Sequence, residues 1–151
     1  MPDHVILAAG SSLADATYET RYAATRAVSR AIAAPLAVED MVVHAMPDTS
    51  PTKWHLAHVT WFFEPFVLAR FVPGYRCFDA DYAFLFNSYY EGAGDRHARP
   101  ERGLITRPTV AEVLDYRDYV DAAMAGLLAE VPDNAEAVSY THLTLPTSTH
   151  G

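Results

Sequence analysis

Fifteen residues, S-P-T-K-W-H-L-A-H-V-T-W-F-F-E from Ser50 to Glu64, constrain this chain more than any other stretch. They place two histidines, two tryptophans, two phenylalanines and a carboxylate in one expected helix. Ser50 suits an N-cap, and Pro51 suits the first helical position, where its missing N–H costs nothing. Trp54, His58, Trp61 and Phe62 then follow the i, i+4, i+7, i+8 spacing of a single helix face. A histidine inside an inward-looking aromatic stripe needs a partner, because a buried imidazole without one is costly. A metal ion is one such partner.

Three helices are expected around this stretch. The first runs over residues 13–34, is rich in alanine, carries Arg21, Arg26 and Arg30, and stops at Pro35. A short helix is expected over 38–44. The second long helix runs from Pro51 to Val72 and ends at Pro73-Gly74. Pro65 lies inside it and should kink it or remove a backbone bond. The third runs from Thr109 to Glu130, with Val110, Val113, Leu114, Arg117, Val120, Ala123, Met124 and Leu127 in helical period. No segment alternates as a strand does, so the fold class is all-α.

The connection over 73–107 is long enough to suggest function. Its aromatic half, Phe84 to Glu91, could pack as a short helix. Its arginine-rich half, Asp95 to Gly103, reads as surface rather than core: a solvated loop or an anion site. Arg99 and Arg102 are three apart, so both guanidinium forks can converge on one carboxylate. The sole cysteine, Cys77, excludes an internal disulfide and fits a reducing cytoplasm; it reads as filler rather than a reactive thiol. A formal charge of −8 argues against nucleic acid or an anionic membrane as a partner.

Residues 1–12 read as a loose lead-in, and 13–138 as one helical domain. Residues 139–151 contain no Asp, Glu, Lys or Arg and no apolar helical period. They resemble translated sequencing-adapter read-through at the end of a gene fragment, so they are set apart as a non-native tail; a genuine disordered tail is the alternative.

The order of motifs resembles the N-terminal part of the ergothioneine-biosynthesis sulfoxide synthases. The matching stretches are Met46-Pro47-Asp48, Ser50 to His58, Trp61 to Glu64, Leu85 to Glu91, Arg102-Gly103-Leu104 and Arg107-Pro108-Thr109. Those enzymes begin with a DinB-like four-helix bundle and continue into a formylglycine-generating-enzyme-like domain. The resemblance implies non-haem iron(II) held by three histidines. It also implies dioxygen-dependent joining of cysteine or γ-glutamylcysteine to trimethylhistidine.

Carried over residue by residue, His58 is the iron ligand from the second helix. Arg99 and Arg102 hold the thiol substrate's carboxylate, and Tyr90 bears on proton delivery. His55, three residues before His58, is expected to be an ordinary hydrogen-bonded helix histidine. The family's remaining two ligands come from an H-x-x-x-H pair, and this sequence contains none. The chain is therefore expected to be a truncated, inactive piece: three of four bundle helices with one orphan ligand. The rival is a metal-free DinB-like helical interaction module, in which the aromatic stripe is core or a partner-helix seam.

Overall fold

A computed structural model describes residues 17–88 and 97–130. Helix α1 spans Tyr18–Ala33, α2 Val38–Met41 and α3 Thr52–Trp61. A π-helical segment follows over Glu64–Leu68, then α4 over Ala69–Phe71 and α5 over Tyr82–Phe86. A 3₁₀ turn covers Arg99–Leu104, and α6 spans Val110–Glu130. No strand occurs among the described residues, in keeping with the all-α expectation. Tyr89, Tyr90, the lead-in over 1–12 and the tail over 139–151 lie outside the described residues.

Local chemistry sets the element boundaries. Thr17 caps α1, its side chain accepting from the Thr20 N–H at 3.1 Å, so the helix begins at Tyr18 rather than at residue 13. Thr109 and Glu112 form a reciprocal capping box on α6: the Thr109 N–H donates to Glu112 Oε1 at 2.8 Å, and the Glu112 N–H donates to Thr109 Oγ1 at 3.1 Å. Ser50 does not cap α3. Pro51 occupies that position with φ −61° and ψ 152° and offers no capping side chain, because the Ser50 hydroxyl is engaged elsewhere.

Pro65 breaks the expected long helix as its chemistry requires. It lacks the N–H that would bond to the Trp61 carbonyl. The chain widens into a π turn, and the Ala69 N–H bonds to Glu64 O, five residues back. The inward stripe survives this adjustment: Trp61, Phe62, Phe63, Val67 and Leu68 are all buried.

The core forms where α3 and the π segment pack on α6, with α1 along the other side of α6. Val113, Tyr116, Val120, Met124 and Leu128 supply the α6 face. Most polar groups inside this core are matched, although Arg117 Nε has no hydrogen-bond partner among the described residues. Arg117, fully buried, donates to Leu56 O at 3.0 Å and Ser29 Oγ at 2.5 Å. Arg26 pairs with Asp121 at 2.7 Å and donates to Thr60 Oγ1 at 2.5 Å, tying α1 to both α3 and α6. Glu64 accepts from the hydroxyls of Tyr75 at 2.6 Å and Tyr116 at 2.8 Å and from the Phe78 N–H at 3.0 Å. These bonds offset the desolvation that burying such groups incurs. Helical period alone placed Arg117 on the inner face of α6 without showing what would satisfy its guanidinium.

Candidate functional site

The stripe residues of α3 do face inward. His58 is 7% exposed, and its ring stacks on Trp54 at 4.7 Å between centroids and 12° between planes. Trp61 lies on its other flank at 6.3 Å and 21°. Trp54 is anchored by its own indole N–H, which donates to Leu85 O at 2.8 Å.

One contact fixes the chemistry of the His58 ring. Its Nδ1 lies 2.6 Å from Phe86 O. A carbonyl can only accept, so Nδ1 carries the proton and the neutral ring has its lone pair on Nε2. Burial, the largest influence, pulls the imidazole down to about 4, against the Phe86 bond that favours the charged form; His55 and Arg102 lower it further. At neutral pH His58 is therefore an uncharged, oriented nitrogen donor. A backbone carbonyl on the far ring nitrogen is the usual support of a metal-binding histidine.

His58 lines a cavity of about 330 Å³. Trp54, His55, Ser88, Arg99 and Arg102 share its wall, and Asp48, Thr49 and Ser50 complete it from the α2–α3 connection. The two arginines thus open onto the same space as the histidine. Arg102 is not a solvated loop residue: it is 4% exposed. It donates from Nη1 to Ser50 Oγ at 2.8 Å and from Nη2 to Ser88 Oγ at 3.2 Å. Its guanidinium carbon sits 3.6 Å from the centroid of the Trp54 ring, a close cation–π contact. Arg99 is only partly buried.

Trp54 is thus shared by the guanidinium and the imidazole. It contacts Arg102 and stacks on His58, so the guanidinium and the imidazole form one assembly. Spacing pairs Arg99 with Arg102 but does not reveal Ser50 and Ser88 as the supports of Arg102. Ser50 reads locally as a cap, and Ser88 carries no local signal, since its partner lies fourteen residues on.

His55 is exposed and meets the edge of Trp54 at 5.3 Å. It makes no side-chain hydrogen bond among the described residues, contrary to the ordinary role expected of it. Desolvation in the cavity, then Arg102 and Arg99, lower its pKa. Cys77 is exposed rather than core filler. The expected role of Tyr90 falls outside the described residues.

As a nitrogen donor, His58 has the tautomer that leaves its Nε2 lone pair available. Among the described residues, no group of three or more His, Cys, Asp or Glu side chains comes together to complete a site. No described helix is long and apolar enough to cross a membrane.

A family model described as the DinB superfamily matches residues 21–149. The match takes in most of the stretch that composition sets apart from residue 139. No curated protein matches the chain.

Proposed function

The chain belongs to the DinB superfamily, and on that premise we propose that it forms the thiol-binding side of a non-haem iron sulfoxide synthase of ergothioneine biosynthesis. The observation that carries the reading is the single cavity shared by His58, Arg99 and Arg102, with the His58 Nδ1 committed to a carbonyl. His58 would hold iron(II) through Nε2. The described residues bring no second or third ligand to it, and one imidazole does not make a non-haem iron site. Bound iron would supply the dioxygen chemistry that joins a thiol to trimethylhistidine.

The chain's own residues bind and orient. Arg102, held over the Trp54 ring and braced by two serine hydroxyls, presents a pre-ordered fork to the carboxylate of cysteine or γ-glutamylcysteine. Arg99, three residues earlier on the same 3₁₀ turn, adds the second positive charge. Tyr90 would bear on proton delivery in that reaction. A single cysteine and a net charge of −8 suit a cytoplasmic enzyme that engages neither nucleic acid nor membrane.

The metal-free interaction module rests on a different observation. Ile32 is 71% exposed, and Val38, Val43 and Met46 are more than half exposed, which leaves apolar surface near the α1–α2 corner. Under that reading the cavity takes no ligand.

Calorimetric titration with L-cysteine separates the two. The wild-type chain should bind, and Arg99→Ala and Arg102→Ala should each weaken binding by about tenfold or more. Arg102→Lys should fall between, keeping charge but losing the fork. The chain alone should bind iron(II) weakly and make no sulfoxide, and the arginine substitutions should leave its iron affinity unchanged. No cysteine binding, or equal affinity in wild type and Arg102→Ala, contradicts the proposal.

A further inference from the structure

Gly103 follows Arg102 and has no role in the reading above. Backbone conformation does not demand a glycine there: among the described residues only Gly74 has a positive φ, 73°. A side chain is excluded by His44, which comes from the α2–α3 connection. A Cβ on Gly103 would lie 2.6 Å from both the Cβ and the Nδ1 of His44 and 2.9 Å from its Cγ. Those atoms sit at the root of the imidazole and cannot swing clear as a flexible tip could.

At the same point the Gly103 N–H donates to His44 Nδ1 at 2.8 Å. An accepting Nδ1 carries no proton, so the neutral ring is protonated on Nε2. That Nε2 is buried and has no hydrogen-bond partner among the described residues. An unmade buried donor is costly. His44 therefore gives up one hydrogen bond while holding the other on Gly103.

We infer that His44 and Gly103 are a positioning pair that seats the Arg99–Leu104 turn against the α2–α3 connection and so sets where both guanidiniums stand. Two adjacent ties join the same two chain segments: Gly103 to His44 through the backbone, and Arg102 to Ser50 through the side chain. Ser88 and Trp54 orient the tip of Arg102, and His44 fixes its base. The inference rests on the arginines being a carboxylate site, and it is tested so that the two can fail separately.

The variants are His44→Ala, His44→Asn, Gly103→Ala and the double His44→Ala/Gly103→Ala. The readouts are amide exchange at Gly103 by NMR and L-cysteine affinity by calorimetry, with melting curves to establish folding. His44→Ala should speed Gly103 exchange and weaken cysteine binding by about fivefold, the size of one partly exposed hydrogen bond. His44→Asn, whose amide oxygen can accept from the same N–H, should restore most of both. Gly103→Ala should weaken cysteine binding in the wild-type background and much less once the imidazole is gone.

Unchanged Gly103 exchange in His44→Ala overturns the pair, whatever cysteine does. Unchanged cysteine affinity in both single variants, with Arg102→Ala still losing it, overturns the pair and leaves the carboxylate site standing. Equal cysteine binding by wild type and Arg102→Ala overturns the carboxylate site, and Gly103 exchange alone then decides the pair.

Discussion

His58 shows how one residue's surroundings choose its chemistry. A stacked indole removes it from water, and a carbonyl accepts a hydrogen bond from its Nδ1–H. In the unfolded, metal-free chain this imidazole titrates near its ordinary value of about 6.5. Folding lowers it to about 4. Between those values the unfolded chain binds the proton and the folded chain does not, so acid favours unfolding. The stability contributed by the neutral ring is complete above pH 6.5 and is lost as pH falls toward 4. A shift of this size corresponds to roughly 3 kcal/mol in all. His58→Gln keeps an N–H that can reach the Phe86 carbonyl but cannot titrate. In denaturant melts of the metal-free protein at pH 7.5 and 4.5, the stability difference should shrink by about 2 kcal/mol in the variant. An unchanged difference would show that His58 is not held neutral. The stripe spacing made the inward direction of this ring legible in the sequence. The carbonyl that selects its tautomer was not, because Phe86 lies twenty-eight residues away.

At the scale of elements, helix existence was legible and helix continuity less so. The apolar period of α6 and its opening at Thr109 could be read directly. The break at Pro65 was anticipated, but its form as a π turn depends on which bonds the surrounding core leaves available. The arginine-rich stretch was legible as a solvated loop or an anion site, with both arginines expected to face the cavity, but the depth of Arg102 was not. Arginine composition suggests solvent, yet Arg102 is buried because Trp54, Ser50 and Ser88 reach it from other segments. Long-range partners of that kind leave no local pattern. The α6 capping box makes an element-scale prediction. Thr109→Ala removes the hydroxyl that accepts from the Glu112 N–H and should lower stability by about 1 kcal/mol. The Glu112 carboxyl is held below its usual range chiefly by its bond to the Thr109 backbone N–H. Its stabilising contribution is therefore present above the ordinary glutamate range and disappears as pH falls through its lowered folded value. A melt of Thr109→Ala that matches wild type at pH 7 would show that the box does not support α6.

Across the whole molecule, separate chain segments converge so that one cavity receives groups from distant parts of the chain. Helix α3 brings Trp54, His55 and His58; the α2–α3 connection brings Asp48 and Ser50; the 3₁₀ turn brings Arg99 and Arg102. The buried ties among Arg26, Thr60, Asp121 and Arg117 hold α1, α3 and α6 in that arrangement. The central proposal is that a neutral His58 lining this cavity, its Nδ1 bonded to Phe86 O, offers Nε2 as a ligand for iron(II). Histidine ¹⁵N NMR at pH 7, with anaerobic addition of iron(II), tests it most directly. The account predicts that His58 is protonated on Nδ1, and that its Nε2 signal is broadened selectively, at weak affinity, by the metal. A His58 ring protonated on Nε2, or iron(II) broadening other histidines while sparing His58, would contradict it.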